Sequence, residues 1–132
     1  MSLRLTALQI LIALGLALSA YMTIAHYTNT QLACPNTGAF NCEEVTTSQY
    51  SMILGVPVAL LGLALFLLAV LMVLGRNETL IFLWAFAGAM SVLYSLGSMA
   101  LIGTICVYCT TLDAIIVLTA IVSNVGIRKT RQ

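Results

Sequence analysis

Residues Leu54 to Leu74 read LGVPVALLGLALFLLAVLMVL, a run without one charged side chain. A helix needs about 20 apolar residues to cross the hydrocarbon core of a bilayer, and this run supplies them. Backbone polar groups inside a bilayer find no water, so a continuous helix is the expected form. Working outward, Leu5 to Ala25, Leu80 to Ile102 and Ile105 to Val125 are runs of the same kind. Of the 132 residues, 61% are hydrophobic and 7% charged, whereas a soluble domain carries about 25% charge. The predicted fold is an all-α membrane protein, a four-transmembrane-helix bundle with a long loop bearing a short helix between the first and second spans. Residues 1–132 are expected to form one domain. The first run is also weighed as a secretory signal peptide, with Arg4 as its basic start. Signal h-regions span about 7–15 residues, and this run is longer, so a retained helix is expected.

The connections between the runs differ. Gly75 to Thr79 and Gly103-Thr104 read as tight turns, while Tyr27 to Ile53 is long and polar and holds Cys34 and Cys42. Four spans put both termini and the Gly75–Thr79 turn on one side, which collects Arg4, Arg76, Arg128, Lys129 and Arg131. The other side has Glu43 and Glu44 and no Lys or Arg. The positive-inside rule then predicts cytoplasmic termini in the cell membrane. All four cysteines fall on the outer side, where disulfides persist. A net charge of +1 without a basic stripe points away from nucleic acid. Inverted-repeat transporters carry broken helices in both halves, and these spans are unbroken.

Cys106-Val107-Tyr108-Cys109 is a C-x-x-C motif at the start of the fourth run. With Thr104 as N-cap, Cys106 lies in the first helical turn, where free backbone N–H groups and the helix dipole favour a thiolate. The thiolate is the attacking species in disulfide exchange. Cys34 and Cys42 lie in the long loop, and Asn41-Cys42-Glu43-Glu44 resembles a capping box, so a short helix is expected from Cys42 to about Met52. Four cysteines allow three connectivities. Two static disulfides stapling a structural membrane protein are the alternative to a redox relay. A zinc site would need all four cysteines, yet the second pair lacks the close spacing of a zinc knuckle, and no metal is expected. One pair rides on a polar loop and the other sits at the mouth of the bundle, the arrangement a relay requires.

Asp113 follows Cys109 by four residues, about 6 Å deeper along the helix, on the face shared by Cys106 and Cys109. An Asp at mid-span costs about 2.5–3.5 kcal/mol on the insertion scale, and intramembrane acids usually face the interior and act there. Asp113 is therefore a candidate proton relay, weighed against a packing role paired with Ser91 or Ser95. His26 and most tyrosines read as interfacial, as does Trp84 towards the other interface. Tyr50 and Tyr108 are near enough to border a pocket, and the mid-span Tyr94 hydroxyl needs a partner. The six methionines read as gap fillers.

At the cysteines the sequence resembles the vitamin K epoxide reductase family. The likeness rests on Cys34-x7-Cys42, then Val45 and Ser48, then Leu54-Gly55-Val56-Pro57-Val58-Ala59-Leu60-Leu61-Gly62, and last Cys106-Val107-Tyr108-Cys109, and it covers nearly the whole chain. The bacterial ubiquinone-linked thiol oxidase, also of four helices, has its C-x-x-C in the first outer loop instead. The resemblance implies a bundle around a quinone pocket, with menaquinone, ubiquinone or phylloquinone type acceptors. It implies that Cys109 faces the quinone, that Cys106 exchanges with Cys42, and that Cys34 and Cys42 take electrons from a thioredoxin-like protein. Ser48 resembles the loop-helix serine placed close to the active-site cysteines. Cys109, Asp113, Tyr50, Leu54 and Tyr94 are the expected quinone contacts. Many bacterial members carry a fused thioredoxin-like domain; this chain ends at Gln132, so a separate, extracytoplasmic partner is expected. Animal members usually have a quinone-binding tyrosine four residues after the second C-x-x-C cysteine, where this sequence has Asp113.

Overall fold

The computed structural model describes residues 2–31, 33, 38 and 40–130; Cys34 and Arg131 lie outside the described residues. Among the described residues, four helices are long and apolar enough to cross a membrane: α1 (Ser2–Thr28), α3 (Val58–Gly75), α4 (Glu78–Ile102) and α5 (Val107–Thr130). Between the first two lie α2 (Cys42–Thr47), a 3-10 turn (Gln49–Ser51), and a two-stranded antiparallel ribbon of β1 (Met52–Ile53) and β2 (Val56–Pro57). The expected all-α membrane bundle is what forms.

The boundaries follow from local chemistry. The second span begins at Val58 rather than Leu54, because Leu54 and Gly55 both have positive φ and make the tight turn of the ribbon. Two successive positive φ values match the right-handed twist of the flanking strands. Pro57 then stands at the N-cap of α3, tolerated because the first helical N–H groups have no intrahelical acceptor. α3 closes with Arg76 in the left-handed region, its N–H bonded to Met72 O at 3.1 Å. Asn77 caps α4 by accepting from the Thr79 N–H at 2.9 Å. Gly103, at φ 81°, ends α4, a conformation glycine adopts without steric cost.

α2 is shorter than the sequence predicts. Asn41 caps it as expected, its Oδ1 accepting from the Glu44 N–H at 3.1 Å. The Thr46, Thr47 and Ser48 hydroxyls then fold back onto the carbonyls of Cys42, Glu43 and Val45, and Ser48 turns extended at ψ 162°. Side chains that compete for backbone groups in this way favour helix ends over helix interiors.

The four long helices close a ring in which α1 lies against α3 and α5, and α4 against the same two. Phe66 of α3 is wholly buried over Gly15 of α1; a Cβ at Gly15 would collide with its ring. Gly88 of α4 makes the same allowance for Ile116 of α5, whose Cγ2 would stand 2.8 Å from an added Cβ. Small residues let helices approach where lipid offers no hydrophobic drive for association. Leu67, Leu68, Leu71, Phe82 and Phe86 face outward, as a lipid solvent permits. The buried hydroxyls of Ser19, Thr23, Thr119 and Ser123 bond carbonyls of their own helices, so they cost little without tying helices together. Trp84 is not in an interfacial belt: it is buried, and its Nε1–H donates to Leu65 O at 2.7 Å, joining α4 to α3.

Candidate functional site: a dithiol between a docked loop and a cavity

Cys106 immediately precedes α5, and its Sγ accepts from the Cys109 N–H at 3.4 Å. That is the bond an N-cap side chain makes to the third residue of a helix. Thr104 was the expected cap, but its hydroxyl is buried without a hydrogen-bond partner; the cysteine does the capping itself. The electrostatics follow from the position. The Cys109 thiol and the backbone N–H groups of Cys109 and Tyr108 lower the Cys106 pKa to about 7, against the opposing effect of burial. The Cys106 N–H points to Met99 Sδ at 3.4 Å, and the Thr110 hydroxyl approaches the same sulfur at 3.8 Å. The sequence offered Met99 only as a gap filler; its sulfur supports the C-x-x-C turn, and nothing in the local pattern signalled that.

The long loop is stitched to this turn. Phe40 forms a parallel bridge with Ile105, and the Asn41 N–H donates to Ile105 O at 3.2 Å. The stitch carries Cys42, the first residue of α2, into a buried cluster with Cys106, Met22, Val45 and Met99. Cys42 and Cys106 have no exposed surface. Further along, the Tyr108 hydroxyl donates to Ala33 O, and the Ala33 N–H donates to the Tyr21 hydroxyl at 3.5 Å. The two tyrosine rings meet at 5.8 Å between centroids and 55° between planes. Cys42 is disulfide-bonded, whereas Cys106 and Cys109 carry free thiols.

Below the loop is a cavity of ≈ 310 Å³. His26, Asn29, Thr30, Glu43, Thr46 and Thr47 line its loop end, Ser91, Tyr94, Ser95 and Ser98 its α4 wall, and Phe66 and Ile116 its apolar depth. Cys109 and Asp113 reach it from α5. Asp113 is 8% exposed, and its Oδ2 is buried with no hydrogen-bond partner. A buried polar atom left unpaired is costly and calls for a reason. Tyr94 finds the partner its depth requires: its hydroxyl donates to Tyr50 O at 2.7 Å, fastening α4 to the loop.

The sequence-derived residues therefore separate. Cys109, Asp113, Tyr50 and Tyr94 line the cavity, as does His26. Cys42 and Cys106 sit together in the adjoining cluster. Leu54 is not brought to the cavity; it is 99% exposed at the ribbon tip, because the Leu54-Gly55 turn points it away from the bundle. Ser48 spends its hydroxyl on Val45 O at the end of α2 and is not among the cavity residues. The contacts of Tyr21 and Tyr108 with Ala33 were not foreseen, since residues so distant in sequence carry no local signal of pairing. Among the described residues, no three His, Cys, Asp or Glu side chains are grouped to hold a metal ion.

Fold and site together define a multi-pass membrane protein with a dithiol set between a docked loop and a largely apolar cavity. Residues 6–124 match the model of the Vitamin K epoxide reductase family, and the chain belongs to that family. No curated protein matches the chain. Membership makes it an oxidoreductase, in a family whose activity is generally quinone-linked thiol oxidoreduction and whose members generally work with thioredoxin-like partners.

Proposed function

We propose that the protein oxidises a thioredoxin-like protein at the loop end of the bundle and passes two electrons through Cys34/Cys42 and Cys106/Cys109 to a membrane quinone, so promoting disulfide formation. The observation that carries this reading is the division of the C-x-x-C pair. Cys109 lines the cavity beside Asp113, while Cys106, three residues back, is wholly buried against Cys42. A dithiol placed so has one sulfur for each neighbour.

In the proposed cycle, a reduced partner dithiol attacks the Cys34–Cys42 disulfide, passes through a mixed disulfide, and leaves oxidised. The Cys42 thiolate then attacks Cys106 Sγ of the Cys106–Cys109 disulfide, breaking that bond and releasing the Cys109 thiolate. Cys34 next attacks Cys42 Sγ, the Cys42–Cys106 bond breaks, and Cys106 leaves as thiolate. The loop is again a disulfide and the C-x-x-C a dithiol, the state in which Cys42 is bonded and Cys106 and Cys109 are free. A lowered Cys106 pKa favours that departure, because a thiol of lower pKa leaves faster.

The cavity fits a quinone ring: it is largely apolar, and Asp113 Oδ2 offers it an unpaired oxygen. A quinone bound there supplies a two-electron, two-proton acceptor. Cys109, which lines the cavity, would face a ring held there, and a quinone's uptake of two electrons would leave Cys106 and Cys109 joined as a disulfide. Asp113 holds a proton at its carboxyl oxygen, able in the neutral form to donate to a ring oxygen, the part the tyrosine plays in animal relatives. Tyr50 and Tyr94, which also line the cavity, would help hold the ring. Arg4, Arg76 and Arg128 are exposed at the end of the bundle opposite the loop, which supports cytoplasmic termini and an outward-facing loop.

The test is purified protein with a reduced thioredoxin-like substrate and a series of quinones, following quinone loss. Cys109→Ala is expected to abolish quinone loss yet still form a mixed disulfide with the substrate. Wild-type turnover in Cys109→Ala would overturn the route. A structural protein with two static disulfides would trap no partner on non-reducing gels in any single cysteine variant; the free thiols at Cys106 and Cys109 speak against it.

A further inference from the structure

Two tethers hold the loop to the C-x-x-C turn, and each acts on the residue just before a loop cysteine. Asn41, before Cys42, bonds Ile105 O. Ala33, before Cys34, is held on both of its backbone polar groups, its carbonyl by the Tyr108 hydroxyl and its N–H by the Tyr21 hydroxyl. Ile105 and Tyr108 flank Cys106 by one residue and by two. Tyr108 is itself one of the two residues between the C-x-x-C cysteines. Thus the turn that carries Cys106 also supplies an anchor for each loop cysteine. The tilted contact between the Tyr21 and Tyr108 rings braces both hydroxyls against the same peptide.

We propose that Tyr21 and Tyr108 form a clamp on Ala33 that positions Cys34 to attack the Cys42–Cys106 mixed disulfide. The inference rests on the relay proposed above and names the positioning residues for its resolving step. In that step Cys34 forms a bond to Cys42 Sγ, the Cys42–Cys106 bond breaks, and the electron pair leaves on Cys106. The clamp is closed in a state where Cys42 is disulfide-bonded and Cys106 is a free thiol, which is the product of this step, and holding Ala33 there favours that product over the mixed disulfide. Freeing Ala33 enlarges the loop that must close and lowers the effective concentration of the Cys34 sulfur.

The experiment uses the full chain with Cys109→Ser, which leaves three cysteines. Its singly oxidised form distributes over three pairings, and the quantity followed is the ratio of the Cys34–Cys42 isomer to the Cys42–Cys106 isomer, with no outside reagent in the balance. The ratio is read by acid quenching, alkylation and peptide mapping. Tyr108→Phe is expected to shift the ratio towards Cys42–Cys106 by up to about tenfold and Tyr21→Phe by about threefold, the range for loss of one hydrogen bond. The double variant is expected to shift it by less than the product of the two, because both hydroxyls hold one peptide. Tyr27→Phe, an exposed tyrosine on the same rim, is expected to leave it unchanged. Ratios unmoved in both clamp variants, or moved equally by Tyr27→Phe, overturn the clamp. Failure of the relay is separable: Cys34→Ser/Cys109→Ser must form Cys42–Cys106 in oxidised glutathione, and its absence there would sink the relay itself.

Discussion

The Cys106 thiol is lowered to about 7 from an ordinary value near 9, with the Cys109 thiol as the largest cause. Removing that thiol by Cys109→Ala makes the effect measurable, best in a Cys34→Ala/Cys42→Ala background where only the C-x-x-C pair titrates. At pH 7 the thiolate fraction of Cys106 is about one half in the intact pair, and about 1% if its pKa returns fully to 9. Thiolate lost in this way slows attack by about fiftyfold. The more basic thiolate is intrinsically more nucleophilic, and with a Brønsted slope of about 0.45 it recovers about eightfold. The net prediction is a rate up to about sixfold lower at pH 7, with the backbone N–H groups of Cys109 and Tyr108 keeping the true figure below that ceiling. The sign reverses in alkali. Above about pH 8 the intact thiol is already ionised and gains no more, while the variant's thiolate fraction is still rising, and the variant, with the stronger nucleophile, becomes the faster. The assay is thiolate absorbance near 240 nm against pH, paired with stopped-flow reaction with a small aromatic disulfide. The reactivity of the intact pair should fall on acidification through pH 7. An unmoved titration midpoint in Cys109→Ala, or rate profiles that never cross, would refute the assignment of Cys109 as the main donor.

Three other outcomes are expected. Asp113→Asn should lower quinone turnover by about tenfold or more, as loss of a positioned proton donor does, while the Cys42–Cys106 mixed disulfide still forms on gels; full turnover across pH would exclude a proton role. Gly15→Val should displace the Phe66 ring at the base of the cavity, costing about 1–3 kcal/mol as overpacking does, and should raise the KM for quinone more than it lowers kcat. Asn41→Ala should cost about 1 kcal/mol through loss of the α2 cap, seen as faster hydrogen exchange at the Glu44 amide, with a thermal midpoint for the bundle changed much less.

Much of the bundle was legible because lipid imposes a coarse rule. Twenty apolar residues in a row leave few alternatives, so four spans could be read from Leu54–Leu74 and its counterparts. The ends were less legible. Leu54 and Gly55 belong by composition to the second span, yet the turn they form depends on a backbone conformation that a leucine does not advertise. The short loop helix was read too long, since Thr46, Thr47 and Ser48 look permissible in a helix until their hydroxyls are seen bonding back. In the site, Cys109, Asp113 and Tyr94 were legible through helical spacing and through the cost of polar groups at depth. The support around Cys106 was not. A methionine sulfur seven residues away and a peptide seventy-five residues away meet the C-x-x-C only through the fold.

The burial of Cys106 has a consequence for chemical damage. An oxidant that diffuses into the cavity meets Cys109 first, because Cys106 has no exposed surface. A sulfenic acid formed on Cys109 then lies beside a neighbour already rich in thiolate, and condensation to the disulfide returns the protein to a working redox state with loss of water. Irreversible sulfinic acid requires a second oxidant molecule to arrive before that capture. The seat that readies Cys106 for exchange thus also shields the pair from peroxide.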